Sequence, residues 1–409
     1  MAAPAQTGER RLALLTGAVV FVDTMFYAVL APLLPGLAHQ LRMSKLAAGV
    51  MTAGYPIGTL LGSIPGGVLA ARAGPRVTVC AGLGLLACST LAFGLLASPA
   101  TLDAARFVEG VGGACSWAGS LAWIVAATAV ERRGAVMGRV LAAAIAGSLL
   151  GPALGAAASV LGRPALFGGI AALSAWLIAR ARRLPDRPPT GERRSPPLGG
   201  IVRRPTVAAG IWLMALPAIV SGVINVLGPL RLHRFGASAA AIAAAFLAAA
   251  ALEAAVSPLI GALSDRRGRH LPLRGGLAVT TLAVAFFTLA GGALPLALVI
   301  VASGGALGAF WAPAMALLSD AAERYGLDQA LAAALINLAW AGGQIIGAGG
   351  GGVVAKSTGD RLPTLGTCAL CALTLVALVL IRRFGPGART HPAAPAAAGA
   401  AGARRSAVR

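Results

Sequence analysis

Two short stretches decide how the chain is organised: GALSDRRGR at residues 261–269 and GGVLAARAGPR at residues 66–76. With Gly67 set on Gly261, they align at an offset of 194, and LGPALG at 150–155 aligns with IGAGGG at 346–351 at an offset of 196. Each arginine-bearing stretch follows the second apolar run of its half of the chain. Similar offsets at separate places indicate an internal duplication.

The composition is that of a membrane protein. Of 409 residues, 57% are hydrophobic and 11% charged, with a mean hydropathy of +0.81. A soluble enzyme carries roughly 25% charged residues. Since about 20 apolar residues span a bilayer as a helix, we predict an all-α integral membrane protein with twelve transmembrane helices in two pseudo-symmetric six-helix halves. The predicted segments, numbered 1 to 12, are 12–35, 46–71, 77–96, 102–127, 136–161, 164–181, 206–230, 237–263, 273–292, 294–318, 330–354 and 362–381.

The charges predict the topology. The 34 basic and 13 acidic residues give a net charge of +21, which in a soluble protein would suggest a nucleic-acid partner. Most of the basic residues instead lie in the termini and in the turns after even-numbered segments, which predicts cytoplasmic N- and C-termini. The loop between segments 6 and 7 is rich in arginine and suits anionic lipid headgroups, so no nucleic acid is expected. The predicted divisions are a cytoplasmic N-terminus (1–11), a first half (12–181), a basic linker (182–204), a second half (205–383) and a disordered cytoplasmic tail (384–409).

Glycine stripes follow three segments at a spacing of four residues. They are Gly54, Gly58, Gly62 and Gly66 in segment 2, Gly147, Gly151 and Gly155 in segment 5, and Gly343, Gly347 and Gly351 in segment 11. Such stripes allow helices in lipid to approach closely. With the alanine-rich segment 8, they predict that segment 2 pairs with 11, and 5 with 8, across the interface between halves. The alternative is that they only fill a tight bundle.

Charged residues within the apolar segments are candidates for function. A charge at mid-membrane costs about 2.5 to 3.5 kcal/mol on insertion scales. Asp23 and Glu253 lie near the middle of segments 1 and 8 and are candidate proton carriers. The alternative for Asp23 is permanent pairing with a neighbour, and for Glu253 it is a hydrogen-bonded helix contact. Arg106 and Glu109, three residues apart, can form an ion pair. That pair is either structural or a device that modulates a proton-binding carboxylate.

The chain resembles the major facilitator superfamily, and within it the twelve-helix drug:proton antiporter branch. The family loop motif G-x-L-A-D-R-x-G-R-K is nearly complete in the second half, and in the first half Ala71 replaces the aspartate. Segment 5 carries the antiporter motif with its proline, Pro152. Segment 4 matches R-x-x-Q-G-x-G, with Glu109 at the glutamine. The residues that carry the loop and antiporter motifs are Gly67, Arg72, Gly74 and Arg76, then Gly261, Asp265, Arg266, Gly268 and Arg269, and Gly147, Gly151, Pro152 and Gly155.

The resemblance implies roles for these motifs and a central cavity. In the family, the loop aspartate latches one conformation, which here only Asp265 could do, and Pro152 would make segment 5 a flexible element. Aromatic and amide groups on the cavity helices would contact substrate. The candidate wall residues are Phe26, Tyr27, Trp117, Asn225, Trp311, Asn337 and Trp340.

These observations predict a proton-coupled antiporter of the bacterial inner membrane that exports small hydrophobic or cationic organic molecules by alternating access. Its expected partners are a small-molecule substrate, protons and membrane lipids; it is expected to act as a monomer, with the proton gradient as energy source and no cofactor or metal. A transporter of a polar metabolite is one alternative, and a non-transporting membrane sensor a more distant one. No nucleophile with a nearby base and no G-x-x-x-x-G-K loop is recognisable, which argues against an enzyme and against direct ATP coupling.

Overall fold

The computed structural model describes residues 3–186, 198–327 and 329–384, which form helices joined by short turns. Most of the predicted basic linker and the predicted tail beyond residue 384 lie outside the described residues. The helices are α1 (Ala3–Ala28), α2 (Leu30–Gln40), α3 (Lys45–Arg72), α4 (Pro75–Leu95), α5 (Pro99–Ala127), α6 (Val130–Leu161), α7 (Arg163–Ala181), α8 (Leu198–Val202), α9 (Pro205–Arg234), α10 (Ala239–Arg267), α11 (His270–Leu289), α12 (Ala293–Arg324), α13 (Gln329–Gln344), α14 (Gly351–Thr358) and α15 (Arg361–Phe384), with a π-helical segment, Ile345–Gly350, between α13 and α14.

The twelve predicted segments correspond to these helices. Ten stretches are long and apolar enough to cross a membrane, and α1 with α2 forms the first of them. The glycine-rich α3 and the run from α13 to α14 complete the twelve within the described part of the chain. The boundaries differ most at α1, which begins at Ala3 rather than at residue 12. The next largest differences are at α6, which begins at Val130 rather than at residue 136, and at α12, which ends at Arg324 rather than at residue 318.

The repeat is visible in the backbone. Turns at equivalent places in the two halves share a positive φ, and these pairs are Arg42 with Gly236, Gly74 with Gly268, and Gly162 with Gly359. Ser44 and Ser238 each cap the next helix by accepting a hydrogen bond from the backbone N–H three residues on. The loop-motif glycines Gly74 and Gly268 have φ values of +92° and +80°. A side chain would strain that conformation, which explains the glycine in both copies of the motif.

The glycine stripes pack within each half. A methyl group at Gly58 would collide with the backbone of α5, one at Gly151 would lie 2.5 Å from Ala28 Cβ of α1, and one at Gly347 would collide with Ile219 of α9. The predicted pairing of segment 2 with 11 and of segment 5 with 8 is confirmed, because α3 meets the run from α13 to α14 and α6 meets α10. The stripes themselves do not face across the interface, so that part of the prediction is wrong. Glycines at a spacing of four residues specify close approach but do not say to which helix.

The two halves meet at one end of the bundle. We call the end with the turns at Gly74 and Gly268 the motif side, and the opposite end the far side. At the far side, Lys45 Nζ of the first half lies 2.6 Å from Asp360 Oδ1 of the second, and Arg234 donates to the other oxygen of that carboxylate. Toward the motif side, α3 leaves Leu61 and Ile64 59% and 71% exposed. The structure is thus closed at the far side.

Candidate substrate and proton site

The first membrane span is interrupted beside its charged residue. Because Pro32 has no N–H, the carbonyl of Ala28 loses its helical partner, and α1 ends there before α2 resumes at Leu30. The guanidinium of Arg106, on α5, donates to the carbonyl oxygens of Phe26 and Tyr27 at 3.5 Å each. The carbonyl end of a helix carries a partial negative charge that stabilises a cation placed there. The break after Ala28 therefore provides a favourable position for the Arg106 guanidinium.

Arg106 also forms the predicted ion pair. Its Nη1 lies 2.7 Å from Glu109 Oε2, and the two side chains are 1% and 0% exposed. The other polar atoms, Arg106 Nε and Glu109 Oε1, are buried without a partner in the described residues. The pair is therefore present, but it does not use the full bonding capacity of either group.

Asp23 lies beside this pair and is fully buried. Its Oδ2 accepts hydrogen bonds from the Tyr55 hydroxyl at 2.9 Å and from Trp117 Nε1 at 3.1 Å. Its Oδ1 is buried with no partner among the described residues. On α5, Gly113 gives the carboxyl group its space, because a methyl group there would come within 2.5 Å of Oδ1 and 2.8 Å of the Tyr55 hydroxyl. We call Asp23, Arg106 and Glu109 the charge cluster.

Three aromatic rings lie next to the charge cluster. The ring centroids of Tyr27 and Tyr55 are 4.7 Å apart, and Trp340 lies 5.7 Å from the first and 6.4 Å from the second. The Arg106 guanidinium lies 5.9 Å from the Tyr27 centroid and 5.6 Å from that of Tyr55. Because Trp340 belongs to α13, this aromatic cluster spans both halves. Its rings can stack on an organic molecule, and their faces attract cations.

The other predicted wall residues are distributed unevenly. Phe26 is fully buried, with centroid distances of 5.9 and 5.4 Å to Phe93 and Phe167, and the Arg106 guanidinium lies 5.9 Å from its ring. It therefore lies between the packed core and the charge cluster, and its role as a wall residue stays a prediction. An aromatic residue beside Asp23 could not be assigned to core or cavity from its position alone. Trp311 packs partly buried against two apolar clusters, and Asn337 is exposed.

Asn225 of α9 and Glu253 of α10 belong to the second half, and both side chains are partly buried. The backbone of Glu253 packs tightly on Gly308 of α12, and the Ser257 hydroxyl donates to the Glu253 carbonyl at 2.8 Å. The Glu253 side chain has no hydrogen-bond partner among the described residues. Thus the helix contact that was the alternative for Glu253 involves its backbone, and its carboxylate remains available.

Sequence reasoning missed Tyr55 and Gly113. Tyr55 adjoins the first glycine of the α3 stripe, and Gly113 follows the two glycines of the segment 4 motif. Neither carries a charge or breaks an apolar run, so neither was conspicuous. The only available signal was that Tyr55 is a phenol within a membrane segment, where its hydroxyl requires a partner.

The loop motifs hold the motif side through different partners in the two halves. In the second half, Arg269 donates to the carbonyl of Ala316 at 2.6 Å and pairs with the Asp320 carboxylate. In the first half, Arg76 pairs with Asp186 at 3.5 Å, at the start of the predicted linker. The Asp265 side chain, predicted to act as a latch, lies outside the described residues, and its role remains a prediction.

A bundle of two repeated six-helix halves, closed at one end and with charged groups buried between its helices, has the architecture of a membrane transporter. The profile of the Major Facilitator Superfamily matches residues 16–327 and 214–409, and the chain belongs to that family. Family membership indicates a multi-pass transporter of small molecules rather than an enzyme.

Individual relatives are distant. "Multidrug resistance protein 1" of Bacillus subtilis (strain 168) is 27% identical over 176 residues, which are 42% of this chain and 45% of that protein, so the match spans less than half the length of this relative. A bacterial homolog of the human lysosomal transporter Spinster, solved in an inward-facing and occupied conformation, superposes with a TM-score of 0.77 and 16% identity over 94% of this chain and 99% of that one. The nucleoside transporter NupG superposes with a TM-score of 0.71 and 15% identity over 90% and 99%. At these identities the solved structures establish the fold.

Proposed function

We propose that this chain is a proton-coupled antiporter that exports small hydrophobic or cationic organic molecules by alternating access. The observation that carries the proposal is the fully buried carboxylate of Asp23, with two donors on one oxygen and none on the other. The free oxygen offers a place for a proton or for a cationic group of the substrate.

The charge balance of the cluster supports exchange between the two. With Asp23, Glu109 and Arg106 all ionised, the charge cluster carries one negative charge in excess. An uncompensated charge in a region without water is costly. One proton or one monovalent organic cation would neutralise the cluster, whereas both together would leave an excess positive charge. Competition for one excess charge is the basis of antiport.

The surroundings indicate the kind of substrate. Tyr27, Tyr55 and Trp340 present aromatic faces beside the charge cluster, which suits a flat or cationic organic molecule. The name of the Bacillus subtilis relative is consistent with drug export. If the basic residues set the orientation, the motif side is cytoplasmic, the protein lies in the inner membrane, and the closed far side faces outward.

The proton gradient is sufficient to drive such export. For an uncharged substrate exchanged for one proton, moving one charge across about 100 mV is worth about 2.3 kcal/mol, which supports a roughly 50-fold concentration gradient of substrate. Exchange of one proton for one monovalent cation moves no net charge and is driven by the pH difference. Protonation from outside would release substrate from the charge cluster, and loss of that proton to the inside would permit capture of the next molecule.

A growth screen tests this function. Cells with and without the gene are compared on a panel of toxic compounds, with Asp23→Asn and Glu253→Gln variants expressed to the same level. We expect resistance to several unrelated apolar or cationic compounds, lost in Asp23→Asn. Protection against a single compound would indicate a dedicated exporter, and the absence of any protection would favour the polar-metabolite alternative.

A further inference from the structure

Tyr55 links the carboxylate of Asp23 to the second half of the molecule. Its side chain is 4% exposed, its hydroxyl donates to Asp23 Oδ2 at 2.9 Å, and its ring lies 6.4 Å from that of Trp340 on α13. The second donor to Asp23, Trp117, lies on α5 in the same half as Asp23. Tyr55 therefore combines a bond to the carboxylate with a contact across the interface.

This contact lies beside the closed far side. Six residues before Tyr55 on α3, a methyl group at Gly49 would lie 2.6 Å from the carbonyl oxygen of Ala348, which is in the π-helical segment that follows α13. Opening of the far side separates these two backbones. The same movement takes Trp340 away from Tyr55, because Tyr55 lies on α3 with Gly49, and Trp340 lies on α13, which leads into the segment that contains Ala348. A change in the packing of the tyrosine ring then alters the position of its hydroxyl.

We propose that Tyr55 is a positioning residue that makes proton exchange at Asp23 depend on the contact between the two halves. The inference rests on the proposed function, since it assumes that Asp23 exchanges a proton. With the far side closed, the Tyr55 ring packs near Trp340, and Tyr55 and Trp117 donate to the Asp23 carboxylate in the space left by Gly113. With the far side open, Trp340 has moved away, the Tyr55 ring shifts so that its hydroxyl no longer donates to Asp23, and Asp23 takes up a proton from water.

The chemistry is a proton transfer between the Asp23 carboxyl group and water, and Tyr55 keeps its own proton throughout. The charged groups around Asp23 are Arg106 and Glu109 on α5, in the same half as Asp23. Glu253, on α10, belongs to the second half and moves with it. A bond from a neutral donor to a charged group contributes about 1.5 to 3 kcal/mol, so removing the Tyr55 hydroxyl changes the balance at Asp23 by about tenfold or more.

The experiment separates coupling from substrate movement. The purified full chain is placed in liposomes with the membrane potential clamped, and ethidium, an aromatic cation, is the probe. Counterflow of radiolabelled ethidium measures exchange without net proton movement, and accumulation driven by an imposed pH gradient measures coupling. The variants are Tyr55→Phe and Trp340→Leu, with Tyr325→Phe as the matched control because that tyrosine lies on the motif side against Thr206.

We expect Tyr55→Phe, which keeps its aromatic ring, to reduce gradient-driven accumulation about tenfold relative to the counterflow measured in the same variant. Trp340→Leu should lower this ratio as well, because it retains the Tyr55 hydroxyl but removes the contact across the interface. Its counterflow should also fall, since an aromatic face of the site is lost. Full coupling in Tyr55→Phe would overturn the inference. Uncoupling by Tyr55→Phe but not by Trp340→Leu would also overturn it, since the hydroxyl would then act only within the first half. A wild-type protein without gradient-driven accumulation would instead overturn the proposed function.

Discussion

Arg106 is held by three kinds of contact at once. It pairs with Glu109, donates to carbonyl oxygens at the end of α1, and lies over the rings of Tyr27 and Tyr55. Removing one partner of a buried ion pair leaves the other charge uncompensated, at a cost of about 3 to 5 kcal/mol. We therefore expect Arg106→Gln to lower the thermal unfolding temperature of the purified protein strongly.

The double variant Arg106→Gln/Glu109→Gln is the control for this prediction. It removes both charges, so it should recover much of the stability lost in the single variant while remaining inactive in transport. If the single and double variants unfold at the same temperature, the loss comes from the contacts of Arg106 with α1 and the rings rather than from the uncompensated carboxylate.

Gly113 gives a second prediction at the residue scale. Its alanine variant would place a methyl group 2.5 Å from Asp23 Oδ1, and overpacking of this kind costs about 1 to 3 kcal/mol. We expect Gly113→Ala to abolish proton-coupled transport and to lower thermal stability. Gly84→Ala on α4 is the matched control, because nothing lies within 4 Å of the added group there. Equal effects of the two substitutions would show that the space at Asp23 is not critical.

Residues with charge were predictable from the sequence, and residues that act by shape were not. Asp23, Arg106 and Glu109 interrupt apolar runs, and a charged side chain within the membrane is costly enough to indicate a functional site. The part played by Tyr55 depends on where its hydroxyl points, and that of Gly113 on a distance to another helix. The position of Phe26 depends in the same way on the fold, since its ring lies between the core and the charge cluster.

At the scale of elements, the run from α13 through the π-helical segment to α14 is the most unusual feature. Ala348, in this segment, lies between two glycines, Gly49 of α3 and Gly222 of α9. π-helical turns often mark functional places in helices. Here the segment brings the second half into backbone contact with the first, a contact that must open and close in an alternating-access cycle.

Enlarging Gly49 tests this contact. A methyl group there would lie 2.6 Å from the Ala348 carbonyl oxygen, so Gly49→Ala should favour the state that is open at the far side. In a cysteine-free background, a single cysteine replaces the buried Ala53 and is labelled with a water-soluble maleimide. Labelling should be about tenfold faster in the Gly49→Ala variant, because about 1.4 kcal/mol of strain in the closed state raises the population of the open state by that factor. Gly67→Ala, on the same helix with nothing within 4 Å, should not change the labelling rate. Equal rates in all three proteins would contradict the assignment.

The sequence predicted the helices better than it predicted their neighbours. Apolar length and the positions of prolines and arginines gave twelve segments close to the observed ones. The break between α1 and α2 and the π-helical segment were not predicted, because both depend on how a locally weakened helix is packed. For the same reason the glycine stripes indicated close contact but not the partner helix.

On the scale of the whole molecule, the two halves are joined at the far side by the ion pair of Lys45 with Asp360, whose carboxylate also accepts from Arg234 of its own half. If these halves must separate there during transport, tethering them should stop it. In a background without the native cysteines, Lys45→Cys and Asp360→Cys are joined by a short thiol-reactive cross-linker that a reductant can cleave. The cross-link should reduce ethidium transport about tenfold, and reduction should restore it. A tenfold loss means that the tether favours the state closed at the far side by about 1.4 kcal/mol. The pair Arg234→Cys and Asp360→Cys lies within the second half, and cross-linking it should leave most of the activity. Full transport by the tethered Lys45 pair would exclude a cycle that opens this side.

The duplication could be inferred from the sequence at the whole-molecule scale. Matching loop motifs 194 residues apart predicted equivalent turns, and Gly74 and Gly268 have the same backbone conformation. The motifs did not reveal that the halves use different ion partners, Asp186 for Arg76 and Asp320 for Arg269. Those pairings depend on where the chain after α7 returns to the bundle.

Proton movement coupled to substrate is the most direct test of the account. Liposomes containing the purified protein and a pH-sensitive dye are given ethidium, with the membrane potential clamped and protein-free liposomes as the blank. We expect ethidium to cause proton movement in the opposite direction in the wild type and none in Asp23→Asn. A wild-type protein that moves ethidium without moving protons, together with an Asp23→Asn variant that behaves identically, would contradict the central claim.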